Sequence, residues 1–248
     1  MVTTRKTPAP PRKRAATAKS STTKSGSSTK RASSSGVASR GGRDALVEAV
    51  LAELSEKGPA NIFPNDISVA LGLSKSLVNF HFGGRDGLIA EAMALGYERY
   101  VDTVWAAAQA AGDDPVARLM AWIDAQYEWT IANAGLAAAL NFPLEAAALD
   151  GEQNPELAAR MAATGSRSLE NTRRLVHDAH VAVRRKGRSV EPDPVRVGLD
   201  AGLIGWMTLG MSVFVAGRHL PTRNAFERQY TEIARQRMKD TVLEMLRR

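Results

Sequence analysis

Three times in this chain an Asp or Asn residue directly precedes a proline that opens an apolar segment. The pairs are Asp114–Pro115, Asn154–Pro155 and Asp193–Pro194. An Asp or Asn side chain at this position can accept a hydrogen bond from the first helical turn, and proline suits the first helical residue. Each pair therefore predicts the start of a helix.

Apolar residues recur at spacings of three and four in several segments, including residues 43–57, 85–111, 115–131, 155–186 and 194–217. This spacing is typical of helices that bury one face, and no segment shows convincing strand alternation or an internal repeat. The chain has 248 residues, of which 44% are hydrophobic, so it can bury a sizeable core. The sequence therefore predicts an all-α protein of about nine helices.

Residues 67–81 (ISVALGLSKSLVNFH) have the pattern of a helix–turn–helix unit. Gly72 can adopt the positive φ of a tight turn, and Ser74 is a suitable N-cap for a second short helix from Lys75 to His81. In such units the second helix enters the major groove of DNA. The stretch therefore predicts DNA binding.

Residues 1–40 contain ten Lys and Arg and no acidic residue, which leaves 23 basic and 26 acidic residues after Arg40. Almost nothing in this segment is apolar, so we expect it to be disordered. Two interpretations stay open. The segment is either a flexible arm that neutralises DNA phosphates, or it has no role in binding, being a solubilising tail or the result of a start codon assigned too early.

The longest apolar run, residues 197–216, approaches the length of a membrane helix but contains Asp200 and several glycines. We expect it to be a helix buried in the centre of a bundle. The basic N-terminus is not followed by an apolar run, so no secretory signal is indicated. We expect a soluble, cytoplasmic protein. It has no cysteine, which excludes disulfides and thiolate chemistry.

Residues 43–93 resemble the N-terminal domain of TetR-family transcriptional regulators. The matching elements are Arg43 with LV at 46–47 and Ala49, EKG at 56–58, Ile67, LGLS at 71–74, VNFHFG at 78–83 and RDGLI at 85–89. Asn79 stands where the family usually has a phosphate-contacting Tyr, a helix-capping Ser or Thr near Phe63 is absent, and Arg85 replaces a Lys with its charge kept.

The resemblance implies a helix–turn–helix domain at residues 41–90, after the tail at 1–40, and a helical ligand-binding and dimerisation domain at 91–248. It also implies a homodimer on a palindromic double-stranded DNA operator, released by a small-molecule effector. We expect the last two helices to form the dimer interface, because a palindromic operator needs two DNA-binding domains at a fixed spacing.

The candidate DNA-contacting residues are Arg43, Lys75, Ser76, Leu77, Asn79, Phe80, His81 and Arg85. Residues at the start of a recognition helix face base edges, so Lys75, Ser76 and Leu77 should lie nearest the bases. Asn79 suits adenine or a phosphate, and Phe80 either supports the helix or faces the groove. The resemblance makes His81 and Arg85 phosphate contacts, and we expect Arg43 to be another.

Large apolar side chains of the second domain are candidates for the walls of an apolar or amphipathic ligand site, although such residues also fill cores. They are Trp105, Trp122, Tyr127, Phe142, Met161 and Trp206. No nucleophile, phosphate-loop or metal-ligand spacing is present, so we predict neither an enzyme nor a cofactor.

Three functions fit the sequence. The first is a ligand-responsive transcriptional regulator. We expect a repressor, although an activator needs the same DNA-binding domain. The second is a nucleoid-type DNA-binding protein driven by the basic tail, with little sequence preference. The third is an apolar-ligand binding protein without operator function.

Overall fold

The structure, a computed structural model, describes residues 32–141, 154–184, 191–217 and 225–247. These residues form nine α-helices and one 3-10 turn, without a strand. The helices are α1 (Ala32–Lys57), α2 (Pro64–Ala70), α3 (Ser76–Phe82), α4 (Arg85–Ala110), α5 (Pro115–Ala132), α6 (Ala134–Asn141), α7 (Pro155–Arg184), α8 (Pro194–Gly217) and α9 (Ala225–Arg247), and the turn is Pro59–Asn61. The predicted all-α fold is confirmed.

The three cap-and-proline pairs open α5, α7 and α8. Asp114 Oδ1 accepts a hydrogen bond from Val116 N at 3.0 Å, and Asp193 Oδ1 accepts one from Val195 N at 3.0 Å. Asn154 Oδ1 accepts the equivalent bond from the backbone N–H three residues later, at 3.3 Å. The side chains therefore satisfy N–H groups that the helices themselves leave unpaired.

Helix α1 begins at Ala32, inside the segment that the sequence predicts to be disordered. No proline lies between Arg31 and Gly58, so the backbone hydrogen bonds of α1 can extend towards the N-terminus from the apolar part of the helix. The helix therefore extends into the predicted tail, and the disorder of the tail stays a prediction. Residues 1–31 lie outside the described residues.

Two large apolar cores lie along α4, besides a small cluster of Ala90, Ala94 and Leu157. The first joins α1, α2, α3 and α6 to the first half of α4; the second joins its second half to α5, α7, α8 and α9. The predicted domain boundary between residues 90 and 91 stays a prediction. It falls inside α4, and Ile89 and Met93 on its two sides belong to the same core.

Helix α6 belongs to the second predicted domain but packs closely on the first. A Cβ added at Gly135 would clash with the carbonyl oxygen of Leu54 in α1, so only glycine allows the two backbones this approach. Leu136, which is 1% exposed, lies beside it in the first core. Helix α6 thus fixes α1, and α1 and α4 in turn hold the helix–turn–helix unit.

Helix α8 is packed on one side only, so the prediction that it is buried in the centre of a bundle is wrong. By length and composition its segment Pro194–Phe214 could cross a membrane, and 22% of it is buried. On the packed side, Asp200 Oδ2 lies 2.8 Å from His180 Nε2 of α7. The large exposed apolar side chains on the other side are Val195, Leu199, Leu203 and Trp206.

Helix α9 is divided in the same way. Met238, Val242 and Leu246 enter the second core, whereas Tyr230 and Ile233 are about half exposed. The last two helices therefore both present apolar side chains to solvent.

Candidate functional site

The turn before α3 has the predicted geometry. Gly72 has a φ of +66°, and Ser74 Oγ accepts a hydrogen bond from Ser76 N at 3.3 Å. Helix α3 begins at Ser76, one residue later than predicted, and the backbone N–H of Leu77 reaches Ser74 O at 3.0 Å. The serine hydroxyl thus acts on the first helical turn, as a cap should.

The inner side of α3 is held by the first core. Val78 is 4% exposed, and the partly buried Leu77 and Phe82 pack against the same core. The sequence places Leu77 near the bases, but in the structure its Cδ2 lies against Gly42 of α1. Its position suits an anchor of the helix better than a base contact.

The outer side of α3 carries exposed residues of different chemistry. Lys75, Ser76 and Asn79 are exposed, and they combine positive charge, hydroxyl and amide groups. Phe80 is 78% exposed, with its ring 4.8 Å from the His81 ring in an edge-to-face arrangement. The Phe80 ring therefore lies largely in solvent on the outer side of α3.

The two arginines predicted to contact phosphates already have protein partners. Arg43 Nη2 lies 3.0 Å from Glu91 Oε1, and its guanidinium lies over the Phe82 ring at 5.2 Å. Arg85 Nε donates to Ile62 O at 3.1 Å. Both arginines keep about a third of their side chains exposed.

Glu91 links α1 to α7. Its Oε1 also lies 2.6 Å from Arg160 Nη1, and Arg160 Nε lies 3.1 Å from Glu98 Oε1. Burial raises the pKa of Glu91, but hydrogen bonds from Arg160 and Arg43 outweigh it and hold that pKa below its ordinary value. One ion-pair chain therefore connects α1, α4 and α7.

A cavity of about 470 Å³ lies among α4, α5, α6, α7 and α8. Its volume is in the range of small-molecule sites. The residues on its wall are Tyr97, Tyr100, Trp122, Gln126, Trp129, Thr130, Ala137, Leu140, Met161, Ser168, Thr172, Gly205, Thr208, Leu209 and Ser212.

The structure brings only some of the predicted ligand residues to this cavity. Trp122 and Met161 line it. Trp105 packs against the second core, Tyr127 lies under the guanidinium of Arg235, and Trp206 is 73% exposed on α8. Phe142 lies outside the described residues.

Sequence reasoning missed Tyr97, Tyr100, Trp129 and the polar part of the wall. The signal was present in pairs of polar residues four positions apart that interrupt apolar helix faces. These pairs are Gln126 and Thr130, Ser168 and Thr172, and Thr208 and Ser212. Polar side chains on an inward face are more informative than aromatic ones, because aromatic residues also fill ordinary cores.

The described residues that line the cavity carry no charged side chain. Burial raises the pKa of Tyr97 above its ordinary value, against a hydrogen bond with Ser168 that lowers it. Burial also raises the pKa of Tyr100, and the neighbouring Tyr97 adds to that effect. Both tyrosines therefore remain neutral hydroxyl groups at physiological pH.

A comparison with models of protein families finds no match to this chain. The HTH-type transcriptional regulator BetI of Stenotrophomonas maltophilia is 30% identical to it over 129 residues. The matched segment is 52% of this chain and 64% of that protein, so the match spans just under two thirds of the relative.

Solved structures with a similar fold include proteins assigned to the TetR-family transcriptional regulators. One from Mesorhizobium loti has a TM-score of 0.56 and 15% identity, covering 84% of this chain and 96% of its own. One from Rhodococcus sp. has a TM-score of 0.54 and 20% identity, covering 83% and 98%. PfmR from Thermus thermophilus has a TM-score of 0.51 and 22% identity, covering 80% and 97%. The chain therefore has the fold of the TetR family of transcriptional regulators, the family that its residues 43–93 resemble.

Proposed function

We propose that this protein is a sequence-specific DNA-binding transcriptional regulator of the cytoplasm, whose affinity for its operator changes when a small molecule occupies the cavity. The observation that carries the proposal is the exposed outer side of α3. Lys75, Ser76, Asn79 and Phe80 are all exposed there, and Val78 fixes the opposite side of the helix in the core.

On DNA, Lys75 and Ser76 at the start of α3 suit base edges in the major groove. Asn79 suits adenine or a phosphate oxygen, and the exposed ring of Phe80 suits the methyl group of thymine. His81 and Arg85, farther along, suit the phosphate backbone. Arg43 contributes less directly, because Glu91 already pairs with it.

The cavity and the DNA-binding surface share structural elements, which supports ligand control. Met161 of α7 lines the cavity, and the adjacent Arg160 pairs with Glu91. Glu91 also pairs with Arg43 of α1. A shift of α7 on ligand binding would therefore move α1 through this chain of ion pairs. A repressor that leaves its operator when the ligand binds is the simplest function of this arrangement.

A homodimer through α8 and α9 would place two heads on a palindromic operator. Both helices expose large apolar side chains, and Trp206 alone is 73% exposed. Cβ atoms added at Gly198 and Gly202 would meet nothing within 4 Å, so α8 also offers room for a second helix to approach closely. Exposed apolar surface of this kind marks protein interfaces.

The excess of basic residues before position 41 favours a second candidate, a nucleoid-type protein that binds DNA through its tail. The two functions differ in sequence preference. Selection of bound duplexes from random DNA by the full-length protein should yield one palindromic sequence for a regulator, and no preferred sequence for a nucleoid-type protein.

Variants of α3 then test the assigned surface on the selected duplex. We expect Lys75→Ala, Asn79→Ala and Phe80→Ala each to weaken binding about tenfold, the effect of removing one side chain that reads a base. Leu169→Ala removes an exposed apolar side chain from α7 and should leave affinity unchanged. Wild-type affinity in all three α3 variants would contradict the assignment, provided that each variant folds.

A further inference from the structure

The wall of the cavity contains an unpaired hydrogen-bond donor. Gln126 is 5% exposed, and Tyr100 Oη donates a hydrogen bond to its Oε1 at 2.6 Å. Gln126 Nε2 is buried and has no partner within the part of the chain that the structure describes. Because a buried amide donor without an acceptor is unfavourable, such a group on a cavity wall indicates an acceptor that comes from a ligand.

Other polar groups on the wall already have protein partners. Thr130 Oγ1 donates to Gln126 O at 2.8 Å, and Thr172 Oγ1 donates to Ser168 O at 2.9 Å. Thr208 Oγ1 donates to Gly205 O at 2.9 Å. These hydroxyls are paired within their own helices, so the Gln126 amide is the group best placed to recognise a ligand.

The uncharged wall restricts the ligand further. An ion that enters this cavity would leave water and find no opposite charge among the described residues that line it. The rings of Tyr97, Tyr100, Trp122 and Trp129 and the side chain of Met161 supply a large apolar and aromatic surface instead. A neutral molecule with an apolar body fits these properties.

We propose that Gln126 selects the effector, and that the effector is a neutral amphipathic molecule whose carbonyl oxygen accepts a hydrogen bond from Gln126 Nε2. This inference rests on the proposed role of the cavity as the effector site. It is tested without DNA, so a failure of ligand selection is distinguishable from a failure of operator binding.

Binding to the full-length protein at pH 7 is measured by the fluorescence of Trp122 and Trp129, which line the cavity. The probes 2-undecanone, undecanoate and undecylamine share an apolar chain and differ in the charge of the head group, and 4-phenylbutan-2-one is a shorter ketone. We expect at least one ketone to bind, and the two charged probes to bind at least about tenfold more weakly.

Gln126→Leu keeps the volume of the side chain and removes the amide. We expect it to weaken ketone binding about tenfold. Gln236→Leu is the matched control, since that amide donates to Asp240 on the surface of α9, and it should bind as the wild type does. If the single variant does not fold, Tyr100→Phe with Gln126→Leu removes both partners of the hydrogen bond and should show the same loss.

Three results would overturn the proposal: neither ketone binds, a charged probe binds as tightly as 2-undecanone, or the folded Gln126 variant keeps wild-type affinity for the ketone. Circular dichroism of each variant establishes that it is folded.

Discussion

Glu91 is a single carboxylate shared by two arginines from distant parts of the chain. Its side chain is 13% exposed, and it lies 3.0 Å from Arg43 and 2.6 Å from Arg160. Such a group pairs with both guanidinium groups and holds α1 and α7 against α4. It also gives Arg43, predicted to contact DNA, a partner within the protein.

We expect Glu91→Gln to lower the free energy of unfolding at pH 7 by about 1–2 kcal/mol. Hydrogen bonds to charged groups contribute more stability than this when they are shielded from water. Arg43 and Arg160 are each about a third exposed, however, and water weakens the two pairs. Urea unfolding of the wild type and the variant measures the difference.

The same difference should depend on pH, because the pKa of Glu91 is lowered in the folded protein. A lowered carboxyl pKa contributes stability that is present above the ordinary value of 4.5 and lost as the pH falls through the folded value. The difference in free energy of unfolding between the wild type and Glu91→Gln should therefore be largest at pH 7 and decrease below about pH 4.5. A constant gap over this range would contradict the assignment.

Glu53→Gln is the matched control, because Glu53 pairs only on the surface, with Lys57 at 3.5 Å. Exposed pairs four residues apart on a helix contribute about 0.3–0.5 kcal/mol, so this variant should barely change stability.

Leu77 and Phe80 show what spacing alone leaves open for a single side chain. Both lie on α3, and the sequence allows either one to face DNA. Contacts with distant residues fix the rotation of the helix: Leu77 meets Gly42 of α1, and the ring of Phe80 is left outside.

Among the helices, α8 has two sides with different surroundings. Thr208 and Ser212 line the cavity, while Leu199 and Leu203 face solvent. A long apolar segment indicates a helix to be covered, but it does not say whether the cover comes from the same chain or from another.

We expect Leu199→Asp to convert the proposed dimer to a monomer, because a carboxylate would lose its water at the centre of an apolar interface. Affinity for the palindromic duplex should fall at least about tenfold, since each head would then bind its half-site alone. Light scattering after size-exclusion chromatography measures the mass.

Leu169→Asp introduces the same charge on α7, where Leu169 is 53% exposed, and should leave both mass and affinity unchanged. A monomeric wild type, or a Leu199 variant that remains dimeric, would contradict the role assigned to α8.

Over the molecule as a whole, charge is distributed unevenly. Nine Lys and Arg lie within residues 1–31, whereas acidic residues outnumber basic ones after Arg40. Positive charges that neutralise phosphates raise affinity for any DNA and make that affinity strongly dependent on salt.

Replacing these nine residues by Gln in the full-length chain should therefore reduce the salt dependence of binding without removing sequence preference. We expect the slope of log K against log salt to fall by several units, about 0.9 for each phosphate that the tail no longer neutralises. The ratio of affinities for the selected and a scrambled duplex should change less than about threefold. Loss of binding to both duplexes would favour the nucleoid-type protein instead.

The helices and their starts follow from the sequence alone. Asp114, Asn154 and Asp193 act on backbone groups within three residues of themselves, and Gly72 needs only its own φ to make the turn. Interactions of this kind are local, so they can be predicted from residues that are adjacent in the sequence. The resemblance of residues 43–93 likewise identified the fold, because it depends on a contiguous segment.

Tertiary packing, in contrast, determines which side chains face one another. The partners of Arg43 are distant in sequence, and the cavity takes residues from five helices. Gln126 reads in sequence as a polar residue in an amphipathic helix, yet packing buries it with one donor unpaired. Such properties depend on how helices rotate and cross, and this is fixed by long-range packing of the core rather than by the local sequence.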